Sequence, residues 1–217
     1  GGKEANSVSA AAMRANGSDV DVIGVVDDAP SPANLDRLAA RGVRHLGSLE
    51  HFLASAPDGV SYLVGIGNPA IRARLAERLD AAGLVAFTAV HPSATFGACA
   101  FLGEGVVACA GVAVSTNVRL GRHVHLNPNA TVGHDTHLRE FVSVNPAATI
   151  SGEVDVGAAT LVGAGAIILQ NLSVGERAVI GAGAVVTKKV PDDVVVVGVP
   201  GIWTKIRNDE GDHAADR

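Results

Sequence analysis

From position 96 onward an apolar residue returns at every sixth place: Phe96, Leu102, Ala108, Val114, Leu120, Leu126, Val132, Leu138, Val144, Ile150, Val156, Val162, Ile168, Val174, Ile180 and Val186, with no member missing. A small or aliphatic residue follows four places after most of them, as at Ala100, Val106, Val112, Val118, Ala130, Ala148, Ala166, Ala178 and Ala184. The residue directly after is commonly small or turn-prone, as at Gly97, Gly103, Ser115, Gly121, Asn127, Gly133, Asn145, Gly157 and Gly163. This period matches neither the helical repeat nor strand alternation, so it belongs to a solenoid. Each hexad supplies one short strand and one turn, with the apolar residues inward and Gly, Asn or Ser expected to take the tight backbone conformation at the corner. Three hexads make one triangular coil, residues 97–186 hold five such coils, and at roughly 4.8 Å per strand the prism is about 24 Å tall. A residue then lies directly beneath the one eighteen places further on.

Residues 1–90 have a different rhythm. Residues 20–26 (VDVIGVV) form an apolar run ending in Asp27-Asp28-Ala29-Pro30, which predicts a strand and a turn. Residues 34–40 and 49–56 carry helical spacing, with a short strand expected at 43–46 between them. Residues 60–66 read as a buried strand closed by Gly67-Asn68-Pro69, and 71–82 as a helix with Leu75 and Leu79 on one face. Strands alternating with helices predict a small, Rossmann-like parallel sheet over residues 1–90. The repeat domain follows over 91–203, and a polar tail over 204–217. After the coils, residues 194–197 predict a closing strand and 203–207 a short capping helix, since a solenoid must cover its open end.

Composition narrows the class. Aromatic residues make up only 3% of the 217-residue chain while Gly numbers 26, as suits thin solenoid walls filled by aliphatic side chains. A net charge of −5 with no basic cluster argues against a nucleic-acid surface. No apolar run reaches membrane-spanning length, no signal peptide is visible, and Cys99 and Cys109 fit reduced thiols better than a disulfide framework, so the cytoplasm is the expected location.

Chemistry must come from polar residues that interrupt the repeat. The densest interruption is residues 127–137, NPNATVGHDTH. His134, two places after Val132, should point outward beside a corner, and the residue above it on the next coil is Gly152, which has no side chain. An exposed imidazole beside the Asp135 carboxylate, facing an empty place, has what a general base needs: it takes a proton near neutral pH and the carboxylate fixes its tautomer. The backbone near Gly152 could face a developing oxyanion. In the first 90 residues, ligands of a parallel sheet bind at the carboxyl ends of the strands. Gly1-Gly2-Lys3, Asp27-Asp28 and Ile66-Gly67-Asn68 fall there, although acidic pairs after strands also serve simply as turn formers.

Gly133-His134-Asp135, the run Phe141-Val142-Ser143-Val144-Asn145-Pro146, the ending Val197-Gly198-Val199-Pro200, and the pieces Val25-Val26-Asp27-Asp28 and Ile66-Gly67-Asn68 together resemble the bacterial sugar O- and N-acetyltransferases. That family of the hexapeptide-repeat superfamily includes sialic acid O-acetyltransferase and the nucleotide-linked amino-sugar N-acetyltransferases, and the likeness spans essentially the whole chain. It implies a left-handed β-helix, a homotrimer with sites between neighbouring prisms, acetyl-CoA as co-substrate and a nucleotide sugar as acceptor. It further implies His134 as general base with Asp135 as its partner and Asn127 as a sugar contact. Gly2, Lys3, Asp27, Asp28, Ile66, Gly67 and Asn68 would lie around the nucleotide sugar. Gly152 would serve as backbone donor to the thioester carbonyl, with CoA running past Gly165, Ala166, Gly183, Lys188 and Pro200. Nitrogen on a 4-amino-4,6-dideoxy sugar is the first choice of acceptor, with O-acetylation of sialic acid or another sugar as the alternative. Two departures stand out: Lys3 occupies a place where the family commonly has His, and the first strand and opening of the glycine loop are not in the sequence.

Two rivals use the same residues. His123, His125, His134 and His137 crowd one region, as in a zinc hydratase, but no pair stacks at one coil's spacing, and ligation needs side chains converging on one ion; no metal is expected. A non-catalytic trimeric scaffold that only binds a nucleotide would have no use for His134 opposite a vacant Gly152.

Overall fold

A computed structural model describes residues 21–205. Gly2, Lys3 and residues 206–217 of the polar tail expected over 204–217 lie outside the described residues, and its first two residues, Thr204 and Lys205, belong to a strand. From Ala89–Val90 to Val185–Val186 the chain winds through two-residue strands stacked into three parallel sheets, which form the faces of a prism. The first face carries Ala89–Val90, Val107–Ala108, His125–Leu126, Ser143–Val144, Leu161–Val162 and Val179–Ile180. The second runs from Thr95–Phe96 through Thr131–Val132 to Val185–Val186, and the third from Phe101–Leu102 through His137–Leu138 to Ser173–Val174. Pairing follows the eighteen-residue register throughout: Thr131 lies between Ala113 and Thr149, and His137 between Arg119 and Asp155. The stack begins one hexad earlier than Phe96, at Val90, which pairs with Ala108.

The inward residues are those the repeat marks. Leu120, Leu126, Leu138, Val144, Ile150, Val156, Val162, Ile168 and Ile180 are all 0% exposed, with Val106, Val118, Ala130, Ala148 and Ala178 filling the second row at 0% or close to it. Truncating one of the large members to Ala costs about 2–5 kcal/mol in a core of this kind. Thr136 and Thr160 occupy the same second row; their buried hydroxyls donate to the carbonyls of Ser151 (3.1 Å) and Gly175 (2.7 Å).

The corner works differently from expectation. The left-handed conformation falls three places after the inward residue, at Cys99, Asn117, His123, Asn129, Asp135, Phe141, Ala147, Glu153, Ala159 and Asn171 among others, all with φ between 54° and 61°. The glycines directly after the inward residue serve close stacking instead: a Cβ on Gly121 would stand 2.7 Å from Glu140 N, and one on Gly133 would stand 2.5 Å from Gly152 N.

In the N-terminal part, Pro32–Ala40, Leu49–Ala54 and Pro69–Ala81 are helices, each opened by an N-cap side chain: Ser31, Ser48 and Asn68. Ser61–Tyr62 pairs in parallel with Val85–Ala86. The strand expected at 20–26 is reduced among the described residues to a single parallel bridge, Val25 to His45, with Val22 and Ile23 exposed.

This part is fastened to the first face of the prism by a buried arginine. Arg72, 0% exposed, donates from Nε to the His123 carbonyl (3.0 Å) and from one terminal nitrogen to the Ile66 carbonyl (2.7 Å). The other terminal nitrogen donates to the Phe141 carbonyl (2.7 Å) and to Ser143 Oγ (2.9 Å). Every partner is neutral, and burial pulls the guanidinium down to about 10. Beside it, the His123 ring stacks between Tyr62 and Phe141, at centroid distances of 5.8 and 5.2 Å. Asp80 accepts from Tyr62 Oη (2.6 Å) and Arg122 (2.8 Å).

At the far end the expected strand is present as Val194–Val197. The expected capping helix is not: Ile202–Lys205 is an antiparallel strand that folds back on Val194–Val197 and packs Trp203 against the core. The last turn is two residues short, since Val190 rather than residue 192 meets Val174. That shift brings the closing hairpin across the open end of the tube.

Candidate functional site

His134 and Asp135 stand on the edge between the second and third faces, carried there by the corner that follows Val132. The corner fixes Asp135 at φ 57°, a conformation that Asp and Asn accept more readily than other side-chain-bearing residues. His134 Nδ1 lies 2.8 Å from Asp135 Oδ2, and the other carboxylate oxygen, Oδ1, accepts from Asn117 Nδ2 at 3.0 Å. Asn117 is the corner residue one coil below. Its amide first, and the imidazole second, hold the Asp135 carboxyl below the usual carboxylate range. Among the described residues Nε2 of His134 has no hydrogen-bond partner. A ring held through Nδ1 by a carboxylate, half exposed and with Nε2 open, can accept a proton from a bound group on that side.

Gly152 does sit on the next coil above His134, but the space its missing side chain leaves is filled by the imidazole itself. A Cβ there would stand 2.5 Å from His134 Nε2 and 2.7 Å from Cε1. The glycine therefore admits the ring over the backbone of the next coil, and the place expected to be empty beside the imidazole is occupied by the imidazole itself. Glu153, the next corner residue, donates its backbone N–H to the His134 carbonyl at 2.8 Å. Its carboxylate joins His134 and Asp135 in a group whose ligand atoms lie within 4.8 Å of one another, all exposed. The other crowded histidines do not converge there: His123 and His125 are buried against the N-terminal part, with His123 held down to about 4 by burial and the nearby Arg122.

The remaining candidates divide between two edges. Lys188 follows Val186 as His134 follows Val132, so it belongs to the His134 edge, further up the prism and exposed. Asn127, Gly165 and Gly183 stand on the edge between the first and second faces. Gly165 (φ 65°) and Gly183 (φ 68°) are successive corners with nothing within 4 Å of a would-be Cβ, leaving a bare strip. Asn127 Nδ2 is committed to Asn145 Oδ1 (3.2 Å) and the Val144 carbonyl (3.1 Å), with its own Oδ1 open. Ala166 is different: its methyl lies in the core at 0% exposure and its N–H donates to the Gly163 carbonyl, so a side-chain contact with a cofactor is ruled out by its inward direction. Pro200 is exposed in the turn of the closing hairpin. Among the described residues these two edges lie on opposite sides of the second face.

In the N-terminal part the candidates have internal partners. Asp28 Oδ1 accepts from Leu49 N (2.7 Å), and Asp27 Oδ1 accepts from Ala29 N (3.2 Å). Asn68 Oδ1 accepts from Ile71 N (3.1 Å) as the helix cap. The carbonyls of Ile66 and Gly67 turn inward to Arg72, and Gly67 also accepts from Ser143 Oγ (2.9 Å). With those carbonyls inward, the amide planes direct the following N–H groups of Gly67 and Asn68 outward, over an exposed glycine with open space above it. Asn117, Glu153 and Arg72 are the residues that the sequence reading missed. Counting eighteen places either way from Asp135 would have found the first two, whereas nothing in a helical Arg signals burial.

No protein-family model matches the sequence, and no curated protein does. Solved structures do match over nearly the whole chain. PerB from Caulobacter crescentus, in complex with CoA and GDP-perosamine, is 32% identical with a TM-score of 0.83, covering 94% of each chain. The acetyltransferase domain of PglB from Neisseria gonorrhoeae, in complex with acetyl coenzyme A, is 30% identical with a TM-score of 0.83, over 93% of this chain and 95% of that one. WeeI from Acinetobacter baumannii is 25% identical with a TM-score of 0.82, over 92% and 94%.

Proposed function

This chain belongs to the left-handed β-helix, hexapeptide-repeat family of sugar N-acetyltransferases, and from that premise we propose that it moves the acetyl group of acetyl-CoA onto the 4-amino group of a nucleotide-linked 4-amino-4,6-dideoxy sugar. The observation that carries the reading is the His134 imidazole, fixed through Nδ1 and open at Nε2. The neutral sugar amine attacks the thioester carbonyl, forming the N–C bond. Nε2 takes the proton released from that nitrogen, and the tetrahedral intermediate collapses with cleavage of the C–S bond, so that CoA leaves and takes up a proton. Asp135 stabilises the imidazolium that forms in between. Much of the rate comes from holding both reactants in one cleft, so no covalent acyl-enzyme is required.

The nucleotide sugar lies across the outward N–H groups of Gly67 and Asn68, where the start of the Pro69–Ala81 helix favours a diphosphate, with Asp27 and Asp28 toward the nucleoside and Asn127 Oδ1 accepting from the sugar. CoA runs along the edge that bears His134, Gly152 and Lys188 toward Pro200, with Gly165 and Gly183 offering it bare backbone. Because these residues occupy two different edges, the complete site lies between copies, and the working form is a homotrimer. The organisation is a nucleotide-sugar-binding domain over 1–90, a transferase domain over 91–203 and a short tail. Among the described residues no helix is long and apolar enough to cross a membrane. Cytoplasmic placement belongs to the same reading and suits the exposed thiol of Cys99.

Acetyl-CoA turnover measured against a panel of UDP-, GDP-, dTDP- and CMP-linked amino sugars and their hydroxyl counterparts tests this reading. Acetylation of a 4-amino sugar nucleotide is expected, and turnover restricted to hydroxyl acceptors would replace it with O-acetylation.

A further inference from the structure

Four consecutive corners on the His134 edge carry polar residues in the left-handed conformation: Asn117 (φ 58°), Asp135 (φ 57°), Glu153 (φ 58°) and Asn171 (φ 61°). That conformation alone explains why Asn is tolerated at 117. It does not explain where the amide points. Asn117 Nδ2 donates along the prism axis to Asp135 Oδ1 at 3.0 Å, the one carboxylate oxygen that His134 leaves free. An ionised carboxylate only accepts, so the amide must present its NH2 rather than its carbonyl.

Asp135 and His134 are both about half exposed, at 47% and 54% of their side chains. A solvated pair of this kind holds little fixed geometry by itself, because each partner keeps other rotamers in reach. Anchoring Oδ1 from the coil below removes that freedom: the carboxylate plane is set, and Oδ2 is left aimed at Nδ1. The Asn117 amide is also the first cause that holds the Asp135 carboxyl below the usual carboxylate range, which favours its ionised, accepting form.

We propose that Asn117 is a positioning residue for acyl transfer: by anchoring Asp135 from the coil below, it holds His134 in the Nδ1–H tautomer with Nε2 presented to the acceptor amine. This rests on His134 acting as the base. Asn117 touches neither substrate nor the reacting atoms and acts through Asp135.

Two variants of the full-length chain test it. Asn117→Gly keeps a corner that glycine accepts without strain and removes only the amide. Asn117→Asp keeps the shape and turns a second carboxylate toward Asp135. The readout besides turnover is the two-bond proton–nitrogen correlation of the imidazoles, with the His134 signals identified by their loss in His134→Ala. Wild type is expected to show His134 as the Nδ1–H tautomer. Asn117→Gly is expected to show a mixture of tautomers and a kcat lower by about tenfold, in the range for losing an orienting partner, with KM for both substrates unchanged, and Asn117→Asp to fall further. A His134 tautomer or a kcat in Asn117→Gly that matches wild type overturns the proposal. Because the tautomer is read without turnover, a failure of Asn117 to position the ring is distinguishable from a failure of His134 to act as base, which His134→Ala reports by itself.

Discussion

The imidazole of His134 lies across the backbone of Gly152, so closely that a single added methyl group on the glycine would stand 2.5 Å from Nε2. The coil above thus acts as a shelf for the ring, while Asp135 holds its far side. Loss of either support should change where Nε2 points without touching the core.

Gly152→Ala is therefore expected to displace the ring and lower kcat by roughly 10-fold to 100-fold, as misplacement of a reacting group on the order of 1 Å does. The aliphatic rows beneath are untouched, so the melting temperature should move little. Steady-state kinetics paired with thermal melts checks this, and wild-type kcat in that variant would show that the shelf is idle.

The architecture was legible because the repeat encodes it twice, in the inward residue of each hexad and in the small residue four places later. Register arithmetic also places His134 next to Gly152 from the sequence alone. What it could not give was the meaning of the vacancy, since whether a missing side chain leaves room for a ligand or for a neighbour depends on χ angles. Gly97, Gly121 and Gly133 read in the sequence as turn glycines, whereas close stacking between coils is what requires them, and the left-handed corner falls two places later. The fastening of the N-terminal part was hidden for another reason: Arg72 sits in an ordinary helical stretch, and only the tertiary fold surrounds it with carbonyls. Asp27, Asp28 and Asn68 were recognised by their place after strands, and their internal hydrogen bonds show that the same positions also cap and turn the chain.

Arg72→Lys should be costly. One ammonium cannot reach the carbonyls of Ile66, His123 and Phe141 together with Ser143 Oγ as a planar fork does, and each buried acceptor left without a donor costs about 1–3 kcal/mol. The loop at Gly67 should loosen with it. The expected outcome is a lower melting temperature together with a raised KM for the nucleotide sugar and a nearly unchanged KM for acetyl-CoA. Equal increases in both would disconnect Arg72 from the sugar-nucleotide side.

His123 supplies a pH dependence of stability. Its folded form titrates at about 4, below the roughly 6.5 of an unperturbed imidazole, so between those values the unfolded chain binds more protons than the folded one. Its contribution is fully present above about pH 6.5, declines as pH falls toward 4, and levels off below that. His125, buried and pushed in the same direction, adds to the slope. Urea midpoints taken from pH 7 to pH 4 should fall in wild type and fall less steeply in His123→Asn, a replacement that accepts the same corner conformation. Identical slopes would assign the dependence to other groups.

Proton transfer to His134 is tested most directly by kcat/KM for acetyl-CoA-dependent acetylation of a 4-amino sugar nucleotide, compared between wild type and His134→Ala, with sedimentation confirming the same assembly in both. Removal of the base should lower the value by about 10²-fold or more. Activity within about twofold of wild type, in an intact assembly, would contradict the role of His134 as general base.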